Sequence, residues 1–205
     1  MRKSVCALTR REDFKRDTFQ AYYENSHAVL AIKYFPFRHY VRNHVVETPD
    51  AGFDTLSEFW SENIEAAATL MNGPVGDIMR ADEERFMDRS RITPAGVQEH
   101  VLSAGASTDA DACRFAALLD WDAEQPNAQA ALLEWATDVA RSSTGVSLDL
   151  TTSWTTNVFP GRAILWTPAV TAFSHRPSWL RLKIVKVRRF ETPRDELLTA
   201  APHPA

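Results

Sequence analysis

The 205 residues, 44% hydrophobic and 24% charged, suffice for one large domain or two small ones with a substantial core. A formal charge of -4 gives no support to a nucleic-acid partner, which needs a basic patch. The two cysteines, Cys6 and Cys113, are far apart and carry no metal-ligand spacing, so a reduced cytoplasmic compartment is the expectation, with no metal. No stretch nears the roughly 18 apolar residues of a membrane helix, the start has no signal-peptide h-region, and P-loop, Rossmann and HExxH patterns are absent.

In chain order, Ser4–Leu8 is a short strand. Asp13 is a candidate cap for the helix that follows. Phe19, Tyr22, Tyr23, His27, Leu30, Ala31 and Tyr34 then recur at spacings of three and four, one face of a helix that Pro36 ends. Phe37–Val46 reads as a strand. Phe37, His39, Val41, Asn43 and Val45 share one face; Arg38, Tyr40, Arg42, His44 and Val46 share the other. Phe53–Trp60 is the next strand. Ser61 can cap a helix over Glu62–Asn72, broken by "GPVGD", with a further short helix at "ADEERFMDRS". Gly96–Leu102 is a fourth strand.

This order, β-α-β-β-α-β, is the ferredoxin-like split unit. The small polar segment Ser103–Asp111 marks a boundary. Beyond it come a strand at Cys113–Trp121, a helix at Pro126–Ser143 stopped by Gly145, and strands at Val146–Thr156, Arg162–Phe173 and Trp179–Phe190. Pro168 suggests a bulge or an edge, and the change of phase at Ile184–Val185 another bulge. Only a short connection with an exposed His175 precedes the last strand, so the second helix of this repeat is missing or reduced.

The expected fold is therefore α+β. Two fused ferredoxin-like units, 1–104 and a degenerate 112–192, pack their antiparallel sheets into a barrel, and 193–205 is a tail with a mobile end. One chain then forms a pseudo-dimer, while two chains can still pair as a homodimer.

The segments "FQAYYENSHAVLA", "RHYVRNHVV", "FDTLSEFW" and "DEERFMD" before "QEHVL" together resemble the EthD-type proteins of the dimeric α+β barrel superfamily, over roughly Lys3–Leu102. The departure is Val29, where that family's pattern usually has proline. The resemblance implies a ferredoxin-like unit that pairs through its sheet. It also implies cofactor-free chemistry, as of dehydratases, isomerases, decarboxylases or oxygenases, on polyketide-like aromatic substrates.

His27 reads either as a core histidine held by a hydrogen bond or as a base. The resemblance favours the base, because the matching histidine faces the cleft in that family. Asn43 is a candidate oxyanion donor. It is adjacent to His44 on one strand, so only one of the two can face a cleft directly. Tyr22, Tyr23, His44, Glu58, Trp60 and Phe86 are candidate substrate contacts, each with a plainer reading as a core or sheet residue. Trp154, Trp166 and Trp179 could add an aromatic wall, and Asp82, Glu83, Glu84 and Asp88 read as a solvated face.

The first expectation for function is a cofactor-independent lyase or isomerase moving a proton on a hydrophobic, enolisable substrate. The alternatives are a cofactor-free oxygenase of the anthrone-oxidising kind, and a non-catalytic small-molecule binding protein.

Overall fold

In the computed structural model, residues 1–48, 50–105, 113–169, 173 and 175–200 are described, apart from the side chains of 65, 66, 68 and 200. The strands are β1 (Arg2–Leu8), β2 (His39–Val45), β3 (Thr55–Ser61), β4 (Thr93–Val101), β5 (Cys113–Asp120), β6 (Ser147–Ser153), β7 (Ala163–Thr167) and β8 (Arg181–Glu191). They close into one barrel in the order β1-β3-β2-β8-β5-β7-β6-β4. Every pairing is antiparallel. Strands β4-β1-β3-β2 form one ferredoxin-like sheet and β8-β5-β7-β6 repeat the same order. The sheets join twice, β2 to β8 and β4 to β6. The barrel therefore has no free edge.

Strand alternation sorts side chains into two environments. Val5, Ala7, Val45, Leu56, Ala95, Ala116, Ile164, Trp166, Val185 and Val187 form an apolar cluster without a single helix residue, which is the barrel interior. Their neighbours in sequence point outward under helices. On the second sheet, α5 (Ala128–Arg141) packs Leu132, Trp135 and Ala136 against Leu119, Leu148 and Leu165. On the first sheet, Phe19, Tyr23, Ile32, Tyr40 and Phe86 build a separate outer core.

The first helix runs as α1 (Arg16–Tyr22), a π turn (Tyr23–His27) and α2 (Ala28–Tyr34). Lys15, not Asp13, is its N-cap. Asp13 instead accepts hydrogen bonds from Arg11. Phe35 is extended ahead of Pro36, as its neighbour's ring requires. Ser61 ends β3 and is no cap.

The break read over "GPVGD" is confined to Asn72–Gly73, between α3 (Ile64–Met71) and α4 (Pro74–Glu83). Proline is well suited to the first turn of a helix, so Pro74 starts α4 rather than ending α3. The segment expected as a separate helix at Ala81–Ser90 is the end of α4 and a 3-10 turn at Arg89–Arg91.

The bulge expected at Ile184–Val185 is absent, and Pro168 lies beyond the end of its strand. The β5–β8 register is continuous through Ala116↔Val185 and Ala117↔Ile184. Both faces of β8 are covered: Val185 faces the barrel and Ile184 packs outward toward α5, so its apolar residues need keep no single phase. Strand β7 stops at Thr167, immediately before Pro168. Among the described residues of 168–180 there is no α-helix. The segment expected as a linker lies largely outside the described residues. The tail is not wholly loose, because α6 (Arg194–Ala200) buries Leu197 in the outer core of the first sheet. Among the described residues no helix is long and apolar enough to cross a membrane.

Candidate functional site

The sequence-predicted residues fall on both sides of one sheet. Asn43, Glu58 and Trp60 point into the barrel, while Tyr22, Tyr23, His27, His44 and Phe86 lie beneath or on the helices. His27 and Asn43 are therefore not brought together, and an odd-numbered position on β2 cannot serve a base on the helix side.

Inside the barrel, one end is charged. The Lys3 ammonium lies 2.9 Å from Glu58, 2.9 Å from Glu99 and 2.7 Å from Asp149. Arg114 bonds Glu58, and its Nε donates to Asn43 Oδ1 at 3.0 Å. Asn43 Nδ2 donates to Leu56 O at 2.9 Å and to Glu58 Oε1 at 2.8 Å. The Asn43 amide is thus occupied on both its atoms and offers no donor to an oxyanion. Trp60 Nε1 donates to Glu99 at 3.1 Å, and Trp166 Nε1 to Asp149 at 2.7 Å.

Burial pushes the Glu58 carboxyl up, but Arg114 and Lys3 outweigh it and hold it down at about 2. Asp149 goes the other way. Burial and the nearby Glu58 charge raise it to about 6 against the pull of Lys3. Two cations face three carboxylates here, so one carboxylate is in excess.

On the helix side, His27 Nδ1 is 2.8 Å from Asp82 Oδ2, and Tyr22 donates to Asp82 Oδ1 at 2.7 Å. Burial pushes Asp82 up, yet the hydrogen bonds from His27 and Tyr22 keep it below the usual range. Asp82 is thus an anion at neutral pH that can only accept, so Nδ1 carries the proton of the shared hydrogen bond. In the neutral tautomer of such a ring the lone pair is on Nε2. The imidazole is flanked by the rings of Tyr23 at 4.9 Å and Phe86 at 5.2 Å. A surface depression of about 690 Å³ between α1–α2 and α4 is lined by Tyr22, Lys33, Ile78, Asp82 and Arg85 among others. It reaches the partners of His27, and His27 itself lies behind them.

Tyr23 and Tyr40 are core residues with satisfied hydroxyls. Tyr23 shares a hydrogen bond with Ser57 at 2.8 Å and accepts one from Tyr40 at 3.1 Å. Burial drives the Tyr23 phenol well above its ordinary value, so it stays neutral. His44 has both ring nitrogens engaged, with Thr55 at 2.7 Å and Glu24 at 2.7 Å. Glu24 also holds Arg42. A histidine bonded at both nitrogens inside a packed layer has none left for substrate, so the geometry gives His44 an architectural role. Phe86 is fully buried against Phe19, Tyr22 and Tyr23. Asp82 is no part of a solvated face, being 7% exposed.

The three tryptophans do not share a wall. Trp166 is inside the barrel, Trp179 packs on the outer α5 side and Trp154 is exposed. Cys6 is partly buried, and desolvation with the nearby Glu83 charge pushes its thiol up to about 12, which disfavours the thiolate. Among the described residues no group of three or more His, Cys, Asp or Glu is placed to hold a metal ion.

Two features escaped the sequence. Asp82 was read as solvated because the turn that folds α4 back onto α1 brings it to His27 from 55 residues away. His39 pairs with Glu191 at 2.6 Å, 152 residues distant, through the β2–β8 seam. Strand alternation placed His39 with Asn43, but nothing local marks its partner.

Residues 11–90 match the EthD domain family. No curated protein matches the chain. Among solved structures, it is similar to an anthrone oxidase-like protein (TM-score 0.56, 11% identity, 93% of both chains covered). It is also similar to a proposed monooxygenase from Lactobacillus acidophilus NCFM (TM-score 0.53, 10% identity, 92% of this chain and 93% of that one). A third is a mutant chlorite dismutase from Candidatus Nitrospira defluvii (TM-score 0.52, 10% identity, 98% and 95% covered). At such identities the likeness is one of fold. The first half of the chain thus carries an EthD domain, and the whole chain folds as a closed α+β barrel of the kind seen in these structures.

Proposed function

We propose that the protein is a cofactor-independent enzyme that transfers a proton on a hydrophobic, enolisable aromatic substrate, with His27 as the base. The observation that carries this reading is the hydrogen bond from His27 Nδ1 to Asp82 Oδ2, 2.8 Å long and shielded by Tyr23 and Phe86. An ionised carboxylate on Nδ1 fixes the tautomer, turns Nε2 into the acceptor and stabilises the imidazolium that forms. The apolar rings exclude water, which favours removal of a proton from carbon. The 690 Å³ depression lined by Tyr22 and Asp82 offers an approach to the dyad.

The products of such a step include those of an isomerase or lyase. An oxygenase reading shares its first step, since an enolate or phenolate is also what reacts with oxygen. The fold likeness to an anthrone oxidase-like protein favours keeping that second reading. The test is turnover of a panel of anthrones and hydroxylated polycyclic ketones with dissolved oxygen monitored. Proton exchange or isomerisation without oxygen uptake supports the first reading, and stoichiometric oxygen uptake the second. His27→Ala should lower either rate by about a hundredfold or more. If it leaves turnover intact, His27 is a core residue.

A further inference from the structure

A second concavity lies away from His27. A groove of about 1110 Å³ lies where the end of α2, the start of β2 and α6 meet. Its apolar wall includes Tyr34, Phe37, Leu70, Leu197 and Leu198, and its polar side His39, Glu191 and Arg194. This volume lies just above the roughly 300–1,000 Å³ of typical small-molecule sites.

The polar side has a definite charge state. Burial pushes Glu191 up, but hydrogen bonds from Arg189 and His39 outweigh it and hold it below the usual carboxylate range. Glu191 is therefore already neutralised by its own neighbours, Arg189 at 2.5 Å and His39 at 2.6 Å. The His39 ring is braced against Trp60 at 4.3 Å, and its Nε2 is taken by Glu191. Arg38, also in the lining, is tied to Glu62 at 2.9 Å. Arg194 makes no ion pair among the described residues. Among the described side chains lining the groove it is the cation with no carboxylate partner. His39 is about one-third exposed. A base open to water in this way suits recognition better than carbanion chemistry.

We infer that this groove binds an amphipathic small molecule with one anionic group, its apolar body on Tyr34, Phe37, Leu197 and Leu198 and its carboxylate or enolate at Arg194. A guanidinium beside a ligand carboxylate gives a charge-assisted hydrogen bond, and the flanking apolar wall sets the body of the ligand. The inference goes beyond the His27 reading and does not rest on it.

The test is calorimetric titration of the full chain with 2-naphthoate, and with its uncharged isostere 2-naphthamide. Saturable binding of naphthoate is expected, about tenfold tighter than that of the amide. Arg194→Gln should remove that preference. Leu198→Glu, at an exposed position of the same wall, should weaken naphthoate by a similar factor through charge repulsion and lost apolar contact. Neither change touches a buried residue, and a preserved thermal transition confirms the fold. No saturable binding, equal affinity for the amide, or unaltered binding in both variants would each overturn the inference.

Discussion

Lys3 on β1 and Asp149 on β6 meet at 2.7 Å inside the barrel, one from each ferredoxin-like unit. Arg114 of the second unit answers Glu58 of the first in the same way. These crossed pairs tie the two sheets together at the charged end of the interior, while apolar packing does so at the other. Lys3 is 3% exposed, so removing its charge would leave Glu58, Glu99 and Asp149 without their common partner. Breaking one side of a buried ion pair costs about 3–5 kcal/mol. Lys3→Met should therefore lower the urea midpoint by an amount of that order, or prevent folding. A loss below about 1 kcal/mol would show that the cluster is hydrated and contributes little.

The same cluster predicts an uncommon dependence of stability on pH. Asp149 has a folded pKa of about 6, above its ordinary 3.8. Its contribution is fully present below pH 3.8 and is lost as pH rises through about 6. Glu58 has a folded pKa of about 2, below its ordinary 4.5. Its contribution is present above pH 4.5 and lost as pH falls through about 2. The contribution of this pair should peak near pH 4, between 3.8 and 4.5, and decline toward neutrality. Asp149→Asn keeps the shape but cannot ionise, so it should flatten the decline between pH 4 and 7 while leaving the acid limb. Urea denaturation of both proteins across pH 2–8 reads this directly. A wild-type curve that rises steadily to pH 7 would mean that Asp149 is ionised throughout.

Much of this architecture was legible in the chain, and the reasons are physical. Strand alternation separated Val45 from Tyr40 onto opposite faces correctly, because period-two geometry is local. The split β-α-β-β-α-β order led to two sheets closing on each other, because an uncovered sheet face must find a partner. The pairings that define function were not legible. Asp82 meets His27, Glu24 meets His44, and Glu191 meets His39 only once helices fold over the sheet or the barrel seam closes. Each of those histidines looked alike in sequence. What distinguishes them is how many ring nitrogens remain after folding, which is a tertiary property. Asn43 and His27 fall on opposite sides of the sheet for the same reason, since the sequence orders strand faces without saying which one helices cover.

If Asp82 orients His27, its replacement should act on the chemical step more than on binding. Asp82→Asn retains the shape of the side chain but removes the anion that faces Nδ1. The amide can present its NH₂ to the ring and select the opposite tautomer, with the lone pair on Nδ1. A fall in kcat of about a hundredfold with KM changed by less than about threefold is expected. Tyr22→Phe removes only the second hydrogen bond to Asp82, 2.7 Å long, and should cost less than about tenfold. Equal losses in kcat and KM-independent stability for both variants would point to a purely architectural dyad.

The last prediction concerns the support for Asp82. Helix α4 delivers it, and α4 approaches the end of α3 very closely at Gly76. A Cβ built on Gly76 would lie 1.9 Å from the carbonyl oxygen of Met71, a backbone atom that cannot rotate away. Arg80, one turn further on, donates to that same oxygen at 2.7 Å. Gly76→Ala must therefore push α4 away from α3, at a cost of about 1–3 kcal/mol for an overpacked site. Because α4 also holds Asp82 against His27, the displacement should lengthen that hydrogen bond and lower activity beyond the effect on stability. Arg80→Met removes the donor to Met71 without adding bulk beside the backbone, so it separates the two contributions. Loss of turnover in Gly76→Ala with turnover kept in Arg80→Met, at matched folded fraction, is the expected pattern. Unchanged stability in Gly76→Ala would mean that the α3–α4 turn relaxes freely, and α4 would then be no fixed support for the dyad.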